Sequence, residues 1–225
     1  MVGLPRLPGL GAWSDDPLWG SFYDWTVEHP TAGRAIWAIG IQSDLGRLYA
    51  AAAEIALLPA GARVLDVPCG GGVAVRSLTA GQDVEYVAVD ISQGMLDRTS
   101  ALAADQGVAD QVTTRKADVE DLPFDDESFD LVVSFTGLHC FPDPQRAVVE
   151  LARVLKSGGV LTGSAFLNDT GVRYEPMRRA GRLLRLLGPG CTSDEVQRWL
   201  AREGVADATL EVSGPIGYFR GVRRA

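Results

Sequence analysis

From residue 61 onward, apolar residues come in short runs. Each run is closed by Gly, Asp or Ser and followed by a stretch whose apolar positions recur every three or four residues. The runs cover 62–67, 84–89, 112–115, 129–135 and 159–166, and they read as nearly continuous rather than alternating, as strands covered on both faces do. Strand-like runs that alternate with helical ones predict a parallel sheet with helical crossovers. Helix boundaries are marked as well. Asp143 before Pro144 makes an N-cap with proline in the first turn; Ala147, Val148, Leu151, Val154 and Leu155 follow at helical spacing, and Gly158 and Gly159 are expected to end that helix. Ser92 is expected to cap a helix that turns Met95, Leu96, Leu102 and Ala103 inward. Thr192 with Glu195 forms a capping box ahead of Val196, Trp199 and Leu200, and Gly204 stops that helix. Two further β-like stretches, 208–212 and 216–222, joined through Gly214 and Pro215, predict a hairpin at the sheet edge. The fold class expected is α/β: a doubly wound, mostly parallel seven-stranded sheet with an antiparallel C-terminal edge hairpin and helices on both faces.

Residues 1–60 depart from this rhythm. They hold Trp13, Trp19, Trp25 and Trp37, four of the five tryptophans, with Phe22 and Tyr23 among helix-like stretches. The division predicted is an N-terminal helical extension over 1–60 and a single structural unit over 61–225. Composition narrows the class. With 46% hydrophobic residues over 225 positions the chain can build a real core. Twenty-nine acidic against 21 basic residues leave a net charge of -8, the wrong sign for a nucleic-acid binder. No window approaches the roughly 18 uninterrupted apolar residues of a membrane span. Pro5 and Pro8 stand where a signal peptide would carry its apolar run, which leads us to expect a cytoplasmic protein. Cys69, Cys140 and Cys191 are odd in number and far apart, so neither a disulfide framework nor a metal site is expected.

Candidate chemistry lies at strand tips, because ligands of open parallel sheets bind beyond the carboxyl ends of the strands. The first strand runs through Asp66 into Pro68-Cys69-Gly70-Gly71-Gly72 and then an apolar helix start at Val73, so backbone can approach a ligand without Cβ clashes beside free N–H groups. The second ends on Asp90, 18 residues past Gly72, close to the roughly 20 expected of a carboxylate that grips ribose hydroxyls. A dinucleotide site aligned on Gly70 and Gly72 would need glycine where the chain has Val75. Asp66 would repel a pyrophosphate but suits an ammonium, so a nucleoside bearing an amino acid fits better.

Val64-Leu65-Asp66-Val67-Pro68-Cys69-Gly70-Gly71-Gly72 resembles the first motif of class I S-adenosylmethionine-dependent methyltransferases, and Val87-Ala88-Val89-Asp90-Ile91-Ser92 with Met95-Leu96 resembles the second. Lys116-Ala117-Asp118-Val119, Ser128-Phe129-Asp130-Leu131 and Leu155-Lys156-Ser157-Gly158-Gly159 resemble later blocks of the subgroup that includes ubiquinone and menaquinone biosynthesis methyltransferases. The likeness spans about 62–166 and implies a Rossmann-like fold. It further implies S-adenosylmethionine as cofactor, S-adenosylhomocysteine as product, and a role for each matching residue. Gly70 and Gly72 would lie against the methionine part, whose amino group Asp66 would help hold. Asp90 would bind the ribose hydroxyls, while Ile91 and Met95 would pack near the adenine. Asp118 would accept from the adenine amino group beside the Val119 backbone, and Phe135 onward would wall the transferred methyl. Pro68 departs from the family's usual glycine and removes an N–H.

Of the two histidines, His139 follows the fourth strand where substrate should approach, and its ordinary pKa suits a general base; His29, in the extension, is the second candidate. The stretch 173–187 is basic and amphipathic. Its arginines, from Arg173 to Arg185, suit an acidic substrate or an anionic lipid surface, a solvated helix face being the commoner reading. The aromatic extension fits a lid, an oligomer contact or plain core. The function expected is methyl transfer to an oxygen or carbon of a small molecule such as a quinone precursor, phenol, lipid or sugar hydroxyl. The alternatives are a cofactor-binding module without catalysis and a protein methyltransferase.

Overall fold

A computed structural model of the protein describes residues 25, 26 and 29–224; Trp13, Trp19, Phe22 and Tyr23 lie outside them. Seven strands form one sheet: β1 Arg63–Asp66, β2 Glu85–Asp90, β3 Val112–Lys116, β4 Phe129–Ser134, β5 Leu155–Phe166, β6 Val205–Ser213 and β7 Ile216–Arg223. Their order is β3-β2-β1-β4-β5-β7-β6, and the first five run parallel. β7 is antiparallel to both β5 and β6, which makes the mixed, Rossmann-like sheet with its edge hairpin. The strand order reverses at β1, so the tips of β1 and β4 flank the crevice where such folds bind ligands.

Both faces of the sheet are covered, and the two sets of alternating side chains are each apolar. On one face Val64, Tyr86, Ala88, Leu131 and Val133 pack with Trp37 of α1 (Pro30–Gly40) and with Leu45, Leu48 and Ile55, which α2 (Gly46–Ala52) with its N-cap and the adjoining 3-10 turn Ala53–Leu57 bring in. Leu96 and Ala103 of α3 (Gln93–Asp105) complete it. On the other face Leu65, Val67, Val87, Val89 and Val132 meet Ala147, Val148 and Leu151 of α4 (Pro144–Val154) and Val196 and Leu200 of α6 (Ser193–Arg202). Truncating Leu151, fully buried there, to alanine is expected to cost about 2–5 kcal/mol. The N-terminal helices are tied across the β6–β7 hairpin. Arg220 pairs with Glu54 at 2.9 Å, and the Ser213 hydroxyl accepts from the Asp44 amide at 2.9 Å.

The caps form as expected. Asp143 accepts from the Arg146 amide, Ser92 from that of Met95, and Thr192 and Glu195 make a reciprocal capping box. Three expectations need correction. The helix expected after the glycine loop is only a 3-10 turn, Ala74–Ser77, followed at once by extended Leu78. The helix from Pro144 ends at Val154, not at the glycine pair. Leu155 pairs with Phe129 and starts β5, while Arg223 of β7 donates to the carbonyls of Ala152 at 2.8 Å and Arg153 at 3.0 Å, which a glycine cap would otherwise have to satisfy. Lys156 then pairs with Asp130 at 2.8 Å instead of sitting at a helix end. Finally, β6 begins at Val205, three residues earlier than predicted, with a bulge between Ala206 and Thr209.

Candidate functional site

The β1 tip is a carboxylate followed by a loop held from three sides. The Val67–Pro68 bond is cis, the Cys69 amide donates to the Val89 carbonyl at 2.9 Å, and the Thr99 hydroxyl of α3 donates to the Gly70 carbonyl at 2.8 Å. Gly70 and Gly72 take φ of +51° and +91°, a region where side chains other than hydrogen are strained. The two differ in what surrounds them. A Cβ on Gly72 would meet the Leu102 Cδ2 at 3.0 Å and the Thr99 Oγ1 at 3.3 Å, so it packs the loop onto α3. A Cβ on Gly70 would meet nothing within 4 Å, so this glycine faces open space.

Asp66 and Asp90 flank that opening and are both buried. Burial pushes the Asp66 carboxyl up to about 7, against the Tyr86 hydroxyl, which donates to Oδ2 at 2.6 Å, and with the Asp90 charge adding to the rise. Asp90 is also raised by burial, although the amides of Ser92 and Gly70 donate to its two oxygens at 2.9 and 3.0 Å and pull it back. One carboxylate therefore ties the β1 loop to the β2 tip. Cys69, between them, has its thiol pushed well up by burial and by these two acids, so it is an unreactive packing residue. Ile91 stands half exposed at the β2 tip while Met95 is buried beneath the first turn of α3.

At the β3 tip Asp118 is exposed and accepts from the Glu120 amide at 3.0 Å, capping the 3-10 turn Val119–Asp121; Val119 is buried. That turn is fastened to α4. Glu150, buried, takes the Leu122 amide at 2.9 Å and two hydrogen bonds from Arg153, whose guanidinium also reaches the carbonyls of Leu122 and Phe124. Arg153 is the largest influence holding the Glu150 carboxyl below its usual range.

Beyond β4 the chain is strained and aromatic. Thr136, β-branched, adopts φ +53°, with its amide donating to the Ser164 hydroxyl at 3.0 Å. Phe135, Phe166 and Tyr174 are buried together, the last two edge to face at 6.3 Å. His139 borders them. Its Nδ1 accepts the Phe166 amide at 3.0 Å, so the neutral ring carries its proton on Nε2, and burial pushes the imidazole down to about 4. His29 lies elsewhere, exposed at the start of α1 and stacked on Trp25 at 4.6 Å. The basic stretch is spent largely on the chain itself. It forms the 3-10 turn Val172–Tyr174 and α5 (Glu175–Leu183), with Arg173 over the Tyr174 ring, Arg179 on Glu175 and Arg182 on Asn168. Arg178 is buried and donates to the carbonyls of Leu167 at 3.2 Å and Gly171 at 3.0 Å. Among the described residues no helix is long and apolar enough to cross a membrane.

Tyr86, Thr99, Thr136 and Glu150 were not singled out from sequence. Tyr86 had a signal: a lone phenol in an otherwise aliphatic buried strand needs a partner for its hydroxyl.

Residues 65–162 match the family described as methyltransferase domain. Over 215 residues the chain is 30% identical to 27-O-demethylrifamycin SV methyltransferase of Amycolatopsis mediterranei, covering 90% of this chain and 74% of that protein. It is 42% identical over 115 residues to demethylmenaquinone methyltransferase of Clavibacter sepedonicus, covering 50% of this chain and 45% of that one. The fold matches geranyl diphosphate C-methyltransferase of Streptomyces coelicolor, solved with Mg2+, geranyl diphosphate and S-adenosyl-L-homocysteine, with TM-score 0.64 at 17% identity over 81% of each chain. On the strength of the rifamycin relative and the glycine loop between two buried carboxylates, the chain belongs to the class I S-adenosylmethionine-dependent methyltransferases.

Proposed function

We propose that the protein moves the methyl group of S-adenosylmethionine to an oxygen or carbon of a small acceptor bearing an apolar ring, a phenol or quinone precursor being the best fit. The observation that carries the reading is Gly70: a left-handed backbone position opening on free space between two buried carboxylates. The cofactor's donors are an ammonium, two ribose hydroxyls and an adenine amino group, and acceptor-only groups meet each in turn. Asp66 would take the ammonium, Asp90 the ribose and Asp118 the adenine amino group, with Gly70 and Gly72 against the methionine, and Ile91, Met95 and Val119 lining the ring. When bound, the sulfonium supplies an already activated methyl, so the protein's part is alignment.

Phe135, Phe166 and Tyr174 supply the apolar wall that would orient the acceptor and keep water from it. His139 would act there as a donor, not as a base. Its Nδ1 lone pair is engaged by the Phe166 amide, and its Nε2–H can hold an acceptor oxygen in line for transfer. A nucleophile that arrives already ionised, such as a phenolate, needs nothing more. The site of methyl transfer thus lies over the β4 and β5 tips, and we place the protein in the cytoplasm. Incubating the protein with methyl-labelled cofactor and small-molecule fractions, read by mass spectrometry, tests the proposal. Label on a phenol or quinone-like compound is expected; cofactor binding without transfer to any fraction would leave a binding module.

A further inference from the structure

Tyr86 is a fully buried tyrosine whose hydroxyl, among the described residues, is hydrogen-bonded to a carboxylate. On the β1–β2 ladder it stands opposite Val64, while Ala88 stands opposite Asp66. The small Ala88 leaves room for the phenol to lean along the strand, and its hydroxyl reaches Asp66 Oδ2 at 2.6 Å. Among the described residues Oδ1 of Asp66 accepts no hydrogen bond. The titratable groups near the pair are Asp90 on β2, whose charge disfavours a second one on Asp66, and Cys69 on the loop, whose own thiol is kept protonated by burial and the two acids. A carboxylate in such a place needs a donor to fix it and a cation to neutralise it.

We infer that Tyr86 is a positioning residue for the cofactor: its hydroxyl clamps one oxygen of Asp66 and turns the other toward the ammonium of the amino-acid end. This rests on the reading of Asp66 as the ammonium site given above. It adds a consequence that the carboxylate alone would not have. Because burial keeps Asp66 protonated in the free protein below about pH 7, taking up an ammonium requires that proton to leave, and the phenol favours its departure by donating to the ionised form. Affinity for an amino-acid-bearing nucleoside should therefore fall as pH falls through 7, and affinity for one lacking the amino acid should not.

The test is calorimetric binding of S-adenosylhomocysteine and of 5′-methylthioadenosine, which lacks the amino-acid end, between pH 5.5 and 8.5. Wild-type protein, Tyr86→Phe and Asp66→Asn are compared. The phenylalanine keeps the ring in its packing and removes the hydroxyl alone. We expect Tyr86→Phe to bind S-adenosylhomocysteine about tenfold more weakly at pH 8, the loss of one hydrogen bond to a charged group. Its methylthioadenosine binding should stay unchanged, and its pH midpoint should move upward. If Asp66→Asn loses selectivity for the amino-acid end while Tyr86→Phe keeps wild-type affinity and midpoint, the role of Tyr86 is overturned and the ammonium site stands. If Asp66→Asn binds both ligands as wild type does, the ammonium site itself is wrong and Tyr86 has nothing to position. A measurement that needs no variant is the 13Cζ resonance of Tyr86 in protein labelled on tyrosine. It should titrate with Asp66 in the free protein and cease to do so once S-adenosylhomocysteine binds; a resonance blind to both pH and ligand refutes the coupling.

Discussion

Replacing each of two neighbouring glycines by alanine separates the structural duty of the loop from its binding duty. At Gly70, φ is +51° and the added methyl enters open space, so the folded protein bears only the left-handed strain of an L-residue, roughly 1 kcal/mol. At Gly72, φ is +91° and the methyl presses on Leu102 at 3.0 Å and on the Thr99 hydroxyl at 3.3 Å, so overpacking brings the total to roughly 2–3 kcal/mol. For a chain of this size, at ~2–4 °C per kcal/mol, melting should fall by about 3 °C for Gly70→Ala and about 5–10 °C for Gly72→Ala. Binding should rank the other way. The Gly70 methyl occupies the space in which the methionine part would lie, and an overlap of ~1.4 kcal/mol or more weakens S-adenosylhomocysteine at least tenfold. Thermal melts give the first ranking and isothermal calorimetry at 25 °C the second. If Gly70→Ala binds within twofold of wild type, the open face of Gly70 is not the cofactor's, and the placement of the ligand over this loop fails.

His139→Ala should lower turnover at saturating cofactor by about 10–100-fold, as loss of one oriented donor does, with the affinity for S-adenosylhomocysteine unchanged; equal turnover would remove His139 from the reaction. Because the folded imidazole titrates near 4 against an ordinary value near 6.5, the unfolded chain binds the extra proton between those values, so stability is full above pH 6.5 and declines toward pH 4. Urea melts of His139→Asn, which keeps an acceptor for the Phe166 amide, should show a shallower acid decline; identical slopes would mean that the ring is not buried as described. Asp66 works with the opposite sign, since its folded pKa near 7 lies above the unfolded one: its contribution is full below about pH 4 and is lost as pH rises through 7. Asp66→Asn should therefore stabilise the ligand-free protein at pH 8 by ~2–4 kcal/mol, measured by denaturant titration, and no gain at pH 8 would contradict the burial of an ionising group. Glu150→Ala strands the Leu122 amide and leaves Arg153 with Asp126 as its remaining carboxylate at 2.8 Å, and should cost ~1–3 kcal/mol, with hydrogen exchange accelerated first in the Val119–Asp121 turn; uniform exchange would deny that Glu150 fastens that turn.

Much of the architecture was readable because the strands are buried on both sides. Residues 129–134 and 84–90 carry apolar side chains at both parities, and each N-cap is a local pattern of two or three residues. Where the reading went astray, a distant partner decided. Gly158 and Gly159 look like a helix stop, yet Arg223, nearly seventy residues on, supplies the donors that end α4 sooner and let Leu155 join the sheet. The crossover after the glycine loop has helical composition but tightens into a single 3-10 turn. At the site, the carboxylate and glycine positions could be inferred from spacing. The state of each group could not, because it depends on contacts between strands: the Phe166 amide sets the tautomer of His139, and Tyr86 sets the partner of Asp66. An imidazole that residue type alone leaves in either tautomer is thus given one by its neighbour.

Arg178 has a consequence for how such a protein can change. Its guanidinium bolts the root of the excursion between β5 and α6 to the carbonyls of Leu167 and Gly171, with Glu175 completing the fastening. Exchange within the segment from Arg179 to Gly190, downstream of that bolt, then leaves the end of β5 held as before. The outer part of the excursion is in this way insulated from the strand tips, so a library randomised from Arg179 to Gly190 should retain the affinity for S-adenosylhomocysteine, read by calorimetry.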